Sequence, residues 1–194
     1  DKDKIIRKAK ETMEIYAPLA DRMGMNRIRD ELEDLSFSVL NKPARELIIK
    51  RLKFIKNNRD DNFKSISVDL INLLKTNGIV ATITGREKTP FSIWRKIQNK
   101  KISLEQLTDI IGFRIIVKNI EDCYKSLGVF HSRFSTIPGK FKDYISTPKI
   151  NKYKSIHTSV IGPRKNRIEI QIRTHDMHEF AERGIASHWQ YKSS

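Results

Sequence analysis

The sequence predicts an α+β protein in which a mixed β-sheet lies behind an all-helical N-terminal segment. Up to residue 76, the apolar residues recur at the 3.6-residue spacing of amphipathic helices. Beyond that point, short apolar runs typical of strands alternate with helical patterns. The length of 194 residues suits one domain, or one domain with an appendage.

Four helices account for the first part of the chain. Apolar stripes predict helices over residues 3–20, 26–39, 43–57 and 63–76, and Gly24 separates the first two. Strands and helices then alternate. The predicted strands are Ile79–Ile83, Ile110–Val117, Ser155–Val160 and Arg167–Arg173. The predicted helices run from Thr89-Pro90 through Gln98, over 121–132, and from the last strand through Arg183.

The charge is strongly positive and unevenly distributed. The chain has 38 Lys and Arg against 23 Asp and Glu, a formal net charge of +15. Residues 1–40 carry 8 basic and 9 acidic side chains, whereas residues 41–100 carry 14 and 5. The change near residue 40 predicts a boundary, and the overall charge predicts an anionic partner: nucleic acid, nucleotide phosphates or anionic lipid.

The composition also excludes several classes of protein. Cys123 is the single cysteine, which rules out a disulfide framework and any multi-cysteine metal site and favours a reducing compartment. No run approaches the ~18 apolar residues of a membrane-spanning helix. We expect a cytoplasmic protein with no membrane association.

The segment Arg167–Arg173 alternates strictly between polar residues and isoleucines. As a strand it places three isoleucines on one face and Arg, Glu, Gln and Arg on the other. An enzyme would use the polar face as the floor of its site. Taken alone, the segment is more often an ordinary half-exposed strand.

A second segment, Asn151–Thr158, follows a lysine-rich stretch. In an extended chain Tyr153 and His157 share a face, and five lysines lie nearby: Lys140, Lys142, Lys149, Lys152 and Lys154. Lysines near an aromatic ring suit a nucleotide, whose phosphates and base they can meet. A solvated basic loop, or a surface touching RNA backbone, explains the pattern equally well.

A third segment, Gly85–Lys96, places Arg86 and Lys88 just before a helix that begins at Pro90. Ser92 and Lys96 are one turn apart and share a helical face. Cations beside a helix N-terminus suit a polyphosphate, although neither a P-loop nor a Rossmann glycine motif is present. The alternative is a basic helix whose Phe91, Trp94 and Ile97 simply face the core.

Two acidic segments raise the question of a metal. Asp109 lies at the mouth of an apolar strand, and with the distant Glu169 it could bind Mg²⁺ together with substrate phosphates. A structural role for Asp109, as a strand-end cap or in an ion pair with Arg114, has about the same weight as the metal-binding role. His175-Asp176-Met177-His178-Glu179 is better explained as the first turn of a helix than as a metal site.

Several segments together resemble, in their order, the synthetase domain of the RelA/SpoT homologue family, which makes the stringent-response alarmones. They are Thr84–Lys96 (TGREKTPFSIWRK), Asp109–Val117 (DIIGFRIIV), Asp122–His131 (DCYKSLGVFH), Pro138–Thr158 (PGKFKDYISTPKINKYKSIHT) and Arg167–Lys192 (RIEIQIRTHDMHEFAERGIASHWQYK). The segment Tyr16–Phe37 resembles the family's helical link between hydrolase and synthetase domains. The resemblance covers most of the chain and is weakest over about 41–78.

The resemblance implies a nucleotidyltransferase-like fold and transfer of pyrophosphate from ATP to the 3′-OH of GDP or GTP. The products are AMP and guanosine tetra- or pentaphosphate. It implies a helical joining segment over residues 1–40 and an alarmone synthetase domain over 41–194, with its motif-bearing core at about 79–192. Ribosome or tRNA contacts are expected only through regions of the parent protein outside this chain.

The resemblance also implies a role for each matching residue. For catalysis it implies Asp109 as the Mg²⁺ ligand and Glu169 as the acid that assists Mg²⁺ or takes the proton from the 3′-OH. For ATP it implies Arg86 and Arg114 against adenine and, at the phosphates, Lys88, Ser92 and Lys96. For the guanosine nucleotide it implies Tyr153 stacked on the base, within a pocket formed by Lys142, Lys149, Asn151, His157 and Gln171.

The chain departs from the family pattern at Lys152, where members usually have glycine, so we expect the guanosine loop to sit differently or to be unusually mobile. The basic stretch Lys140–Asp143 resembles the version found in bifunctional members. It predicts a hydrolase domain upstream in the parent protein and a preference for GDP. Two alternatives stay open: a catalytically silent domain that docks on RNA or the ribosome, and a different nucleotidyltransferase.

Overall fold

The computed structural model describes residues 1–57, 60–100 and 111–184. Eight α-helices lie within these ranges. They are α1 (Lys2–Glu11), α2 (Ala17–Arg22), α3 (Asn26–Leu40), α4 (Lys42–Asn57), α5 (Asp60–Thr76), α6 (Pro90–Lys100), α7 (Ile120–Arg133) and α8 (His175–Arg183). In the described ranges, none of the helices has the length and apolar composition needed to span a membrane.

The strands form one mixed sheet. They are β1 (Ala81–Glu87), β2 (Ile111–Val117), β3 (Ser135–Thr136), β4 (Lys142–Asp143), β5 (Ile156–Ile161) and β6 (Arg167–Thr174). The spatial order is β1-β2-β6-β5-β3, and β4 pairs with β5 beside β3. Strands β2 and β6 are parallel, and the other pairs are antiparallel. The predicted α+β class with a mixed sheet is confirmed.

The chain divides into two compact units. The described parts of the first are residues 1–57, 88–100 and 179–184, which are all helical apart from their turns. The second comprises residues 60–87 and 111–178 and contains the sheet with α5 and α7. The boundary predicted near residue 40 concerns the parent protein's domains, and it stays a prediction.

The core of the sheet unit lies on the face covered by α5 and α7. Leu70 and Leu74 of α5 and Phe130 of α7 are fully buried with the sheet residues Ile115, Ile170 and Ile172. Each such side chain contributes about 1.5–3 kcal/mol through burial. The isoleucine face predicted for β6 is therefore confirmed as a core face.

Gly85 of β1 is required by the packing of α5. The ring of Phe63 stacks on Phe113 with 4.9 Å between centroids. A Cβ atom at Gly85 would lie 2.5 Å from the Phe63 ring, well inside contact distance. Only glycine lets the helix pack this close to the strand.

The N-terminal helix predicted over residues 3–20 is interrupted by a π-helical turn. The turn covers Thr12–Tyr16, and the Ala17 N–H donates to the Thr12 carbonyl, five residues back. Pro18 explains the interruption, because a proline ring clashes with the carbonyl four residues earlier in a regular α-helix. The predicted helix is confirmed over its whole length, with a π-helical turn inside it that the pattern did not indicate.

The remaining elements agree with prediction except at β1. The apolar run Ile79–Ile83 marks only its beginning, because the strand continues to Glu87 along the whole length of β2. Arg86 therefore lies within β1, where it pairs with Gly112 of β2. The two-residue strands β3 and β4 are too short for a periodic pattern to indicate.

Candidate active site

Two rows of side chains cross the sheet on one face. Strand pairing aligns Thr84, Arg114, Gln171, His157 and Lys142 in a single row across five strands. Directly paired residues project to the same side of a sheet. Six of the residues predicted to bind nucleotide or to act in catalysis are on this face, contributed by five strands: Arg86, Arg114, Lys142, His157, Glu169 and Gln171.

The second row lies two residues away and contains Glu169. Arg86 pairs with Gly112, Gly112 with Glu169, and Glu169 with Ser159. A Cβ atom at Gly112 would lie 3.9 Å from the Arg86 Cβ and 3.8 Å from the Glu169 Cβ. Because Gly112 has no side chain, space is left between the arginine and the carboxylate.

The polar face of β6 is buried in its second half, at Gln171 and Arg173, whereas Glu169 is half-buried and Arg167 is exposed. Gln171 is 5% exposed and Arg173 is 2% exposed, although both alternate with the core isoleucines. Enclosure strengthens electrostatic interactions by excluding water. The strand therefore departs from the half-exposed alternative at Gln171 and Arg173, and matches it at Arg167 and Glu169.

An aromatic cluster lies beside the first row. The Tyr153 Oη and the His157 Nε2 form a 2.8 Å hydrogen bond. The Tyr144 ring meets both rings edge-on, with centroids 6.1 Å from Tyr153 and 5.2 Å from His157. The Lys149 Nζ lies 5.0 Å and 5.1 Å from the Tyr144 and Tyr153 centroids, within cation–π range. Sequence reasoning missed Tyr144, although it lies two residues after Lys142, the spacing that keeps two side chains on one side of an extended segment.

Electrostatics at this cluster keep His157 neutral. The pKa of His157 is lowered from 6.5 to about 4, mainly by burial, with smaller lowering contributions from Lys149, Arg86 and Arg173. Glu169 acts in the opposite direction. The imidazole is therefore a neutral hydrogen-bonding group on a cationic surface, and it does not add a positive charge near pH 7.

The loop before Tyr153 keeps a tight turn although it has no glycine. Lys152 has a φ of +62°, in the left-handed region that favours glycine. Its N–H donates to the Lys149 carbonyl at 2.8 Å. The Asn151 Oδ1 accepts from the Tyr153 N–H at 3.2 Å. The lysine thus takes a strained backbone conformation within the predicted guanosine loop.

The predicted phosphate-binding residues of α6 belong to the helical unit. The predicted helix start is confirmed: α6 begins at Pro90, and the Ser92 N–H donates to the Thr89 Oγ1 at 3.3 Å. The Ser92 hydroxyl donates to the Thr89 carbonyl at 2.8 Å. Ser92 and Lys96 lie one turn apart on this helix, and Lys88 precedes it.

Asp109 lies outside the described residues, so the predicted pair of carboxylates is described only at Glu169. Within the described ranges, no cluster of three or more His, Cys, Asp or Glu side chains could bind a metal ion. Glu169 beside the space at Gly112 still fits Mg²⁺, which usually takes one or two carboxylates and completes its shell with water and phosphates. The segment His175–Glu179 was interpreted as the first turn of a helix. This interpretation is confirmed, because α8 begins at His175 and has Asp176 in its first turn.

The chain is thus an α+β domain with a mixed sheet, and the polar face of that sheet presents arginines, a carboxylate, a neutral histidine and a lysine-capped aromatic cluster. The region found in RelA/SpoT proteins matches residues 85–194. The chain belongs to the RelA/SpoT family.

Relatives and solved structures agree with this membership. The chain is 50% identical to the GTP pyrophosphokinase rsh of Brucella melitensis over 190 residues, 98% of this chain and 25% of the relative. It is 44% identical to the guanosine-3′,5′-bis(diphosphate) 3′-pyrophosphohydrolase of Haemophilus influenzae, covering 99% of this chain and 28% of that protein. The chain thus spans about a quarter of the length of the curated relatives it matches.

The fold is also similar to that of a solved alarmone synthetase. The small alarmone synthetase 1 from Bacillus subtilis, bound to its product pppGpp, superposes with a TM-score of 0.53 and 26% identity. The match covers 74% of this chain and 83% of the synthetase. The predicted nucleotidyltransferase-like fold is confirmed.

Proposed function

We propose that this chain is the part of a (p)ppGpp synthetase that transfers pyrophosphate from ATP to the 3′-OH of GDP or GTP. The observation that carries the proposal is the pair of side-chain rows on the polar sheet face, which brings Arg86, Arg114, Glu169, Gln171 and His157 together. The likeness to GTP pyrophosphokinases and to a pppGpp-bound synthetase supports it over an RNA-docking domain or another nucleotidyltransferase.

In the proposed reaction, the guanosine 3′-oxygen attacks the β-phosphorus of ATP. The bond between the β-phosphorus and the α,β-bridging oxygen breaks, and AMP leaves. The proton of the 3′-OH passes to Glu169, which must lie within ~3 Å of that oxygen in the complex. Glu169 is suited to this role because it lies on the same face as the nucleotide-binding side chains, beside the space at Gly112.

The remaining residues bind and orient the two nucleotides. We propose that Arg86 and Arg114 contact adenine, that Lys88, Ser92 and Lys96 bind the ATP phosphates, and that the guanosine nucleotide contacts Tyr153 and its pocket: Lys142, Lys149, Asn151, His157 and Gln171. Positioning and neutralisation of phosphate charge provide most of the catalysis in reactions of this kind. Asp109 and Glu169 would bind Mg²⁺, which neutralises charge on the phosphates when bound.

The parent protein is proposed to be bifunctional and cytoplasmic. The basic stretch Lys140–Asp143 and the likeness to a protein named as a pyrophosphohydrolase support an upstream hydrolase and a preference for GDP. Contacts with ribosome or tRNA would come from regions outside this chain.

Product analysis tests the proposal. The chain is mixed with ATP, GDP and Mg²⁺, and the nucleotides are separated by anion exchange. We expect guanosine tetraphosphate and equimolar AMP. Glu169→Gln removes the proton acceptor and should abolish the product while nucleotide still binds. Glu121→Gln is the matched control, since Glu121 is an exposed acid paired with Lys125 on α7. Near wild-type turnover by Glu169→Gln would refute the role of this residue.

A further inference from the structure

Two acidic residues of α3 contact the helix proposed to bind the ATP phosphates. The Asp34 Oδ1 accepts a hydrogen bond from the Phe91 N–H of α6 at 3.3 Å. The Glu33 Oε1 pairs with the Arg95 Nη1 at 3.1 Å. Both acids are largely buried, with side-chain exposures of 17% for Asp34 and 9% for Glu33. These contacts join segments about sixty residues apart within the helical unit.

Asp34 is itself fixed by a third helix. The Arg45 Nη2 and Nε of α4 lie 2.6 Å and 3.2 Å from the Asp34 Oδ2. Because the arginine engages one carboxylate oxygen, the other is directed at α6. The contact is therefore a constrained cap and not a chance approach of two flexible side chains.

The backbone N–H groups of Phe91, Ser92 and Ile93, at the start of α6, all donate to Asp34 or Thr89. Pro90 has no N–H, and the Phe91 N–H is bound to Asp34. The Ser92 N–H donates to the Thr89 Oγ1 at 3.3 Å, and the Ile93 N–H donates to the Thr89 carbonyl at 3.1 Å. Phosphate recognition on α6 must therefore come from side chains, whose positions depend on how the helix is set.

Helix α6 packs against both α4 and α3, and three residues of α3 make specific contacts with it. Asp34 fixes its first turn and Glu33 fixes Arg95 one turn later. Between them, the Phe37 ring contacts Phe91 edge-on at 5.5 Å and stacks on Trp94 at 5.8 Å. Two polar contacts a turn apart, with an aromatic contact between them, restrict both sliding and rotation of the helix.

We propose that Asp34, oriented by Arg45, is a positioning residue for ATP: by capping α6 from α3 it sets the height and rotation at which Ser92 and Lys96 meet the phosphates. The inference rests on the proposed function, since it takes Ser92 and Lys96 as ATP ligands. It extends the ATP site to a residue of the predicted joining segment that touches no substrate.

The test uses the whole chain and a non-hydrolysable ATP analogue with Mg²⁺. Calorimetry gives the dissociation constants of the analogue and of GDP, and NMR gives the hydrogen-exchange rate of the Phe91 amide. Asp34→Ala removes the cap. Asp34→Asn keeps an oxygen that can accept from the Phe91 N–H. Glu31→Ala is the matched control on α3, because Glu31 pairs with Arg27 at the exposed surface. Lys96→Ala reports whether α6 binds ATP at all.

We expect Asp34→Ala to weaken the ATP analogue about tenfold, to leave GDP unchanged, and to accelerate exchange at Phe91. Asp34→Asn should recover only part of the loss, because its single oxygen can accept from the Phe91 N–H or from Arg45 but not from both, and Glu31→Ala should behave as wild type. If Asp34→Ala weakens the binding of both nucleotides equally, the cause is general destabilisation and the inference is overturned. It is also overturned if Asp34→Ala binds the ATP analogue as tightly as Glu31→Ala does. If Lys96→Ala leaves the analogue affinity unchanged, the proposed ATP site itself fails, and the inference fails with it.

Discussion

We expect the protein to lose stability in mild acid because of His157, and a variant that lacks this histidine should lose less. The imidazole Nε2 shares a hydrogen bond with the Tyr153 hydroxyl, and the ring lies near the cations Lys149, Arg86 and Arg173. Burial is the largest of the effects that lower the pKa of His157 from 6.5 to about 4. Protonating the folded protein at this position therefore places a charge where it is poorly solvated and faces Lys149, Arg86 and Arg173.

The sign and size of the effect follow from the two pKa values. Above pH 6.5 the imidazole is neutral in the folded and unfolded chain, and its contribution to stability is fully present. Between pH 6.5 and about 4 the unfolded chain binds a proton that the folded chain does not, so stability falls as pH falls. The full difference corresponds to ~3 kcal/mol, most of it lost by about pH 4.5.

Urea unfolding at pH 7.5 and 4.5 measures this contribution. The difference in unfolding free energy between wild type and His157→Gln should change by ~2.5 kcal/mol between the two pH values, with the variant losing less. Tyr153→Phe is the control: it removes the hydrogen bond but keeps the buried imidazole, so its pH dependence should stay close to wild type. An NMR titration giving His157 a pKa near 6.5, or equal pH dependence in His157→Gln and wild type, would refute the reasoning.

Three further predictions concern the site. Lys152→Gly should raise the unfolding free energy, measured by urea titration, by up to ~1 kcal/mol, because glycine adopts the left-handed backbone at φ +62° without strain. The larger unfolded-state entropy of glycine offsets part of this gain. Lys152→Ala, the control, should give no gain. Tyr153→Ala should weaken GDP binding by ~1–3 kcal/mol by calorimetry, and an unchanged dissociation constant would contradict stacking. Gly112→Ala should leave stability within about 0.5 kcal/mol, because the new methyl group fits at ordinary contact distance, but lower synthesis by narrowing the space beside Glu169.

Two elements were predictable because each carries a strong local signal. The alternating isoleucines of β6 indicate the strand and its buried face, and Thr89-Pro90 marks the start of α6. β1 was predicted only in part, because its polar second half is a strand through pairing with β2 and not through its own composition. Pairing is a tertiary effect that single-sequence patterns do not contain.

The residues that sequence reasoning missed act through contacts distant in sequence. Tyr144 belongs to the site because β4 pairs with β5 and brings its ring onto Tyr153 and His157. Asp34 reads as one of several outward acids on an amphipathic helix, and only the packing of α3 against α6 shows that it caps Phe91. A motif states which residue types are present, whereas such contacts depend on the whole fold.

A guanine base stacked on the face of Tyr153 that Lys149 covers would require Lys149 to move. Tyr153 as a residue is 8% exposed, and the Lys149 ammonium lies 5.1 Å from its ring centroid. An ammonium and a purine cannot occupy the same face of one ring. If guanine stacks on Tyr153, Lys149 must therefore move from the ring, and the guanosine phosphates are the anions that would attract it. The cation–π contact would then be exchanged for a stronger charge–charge contact, so that the base and the phosphates of the same nucleotide are recognised through one displaced lysine.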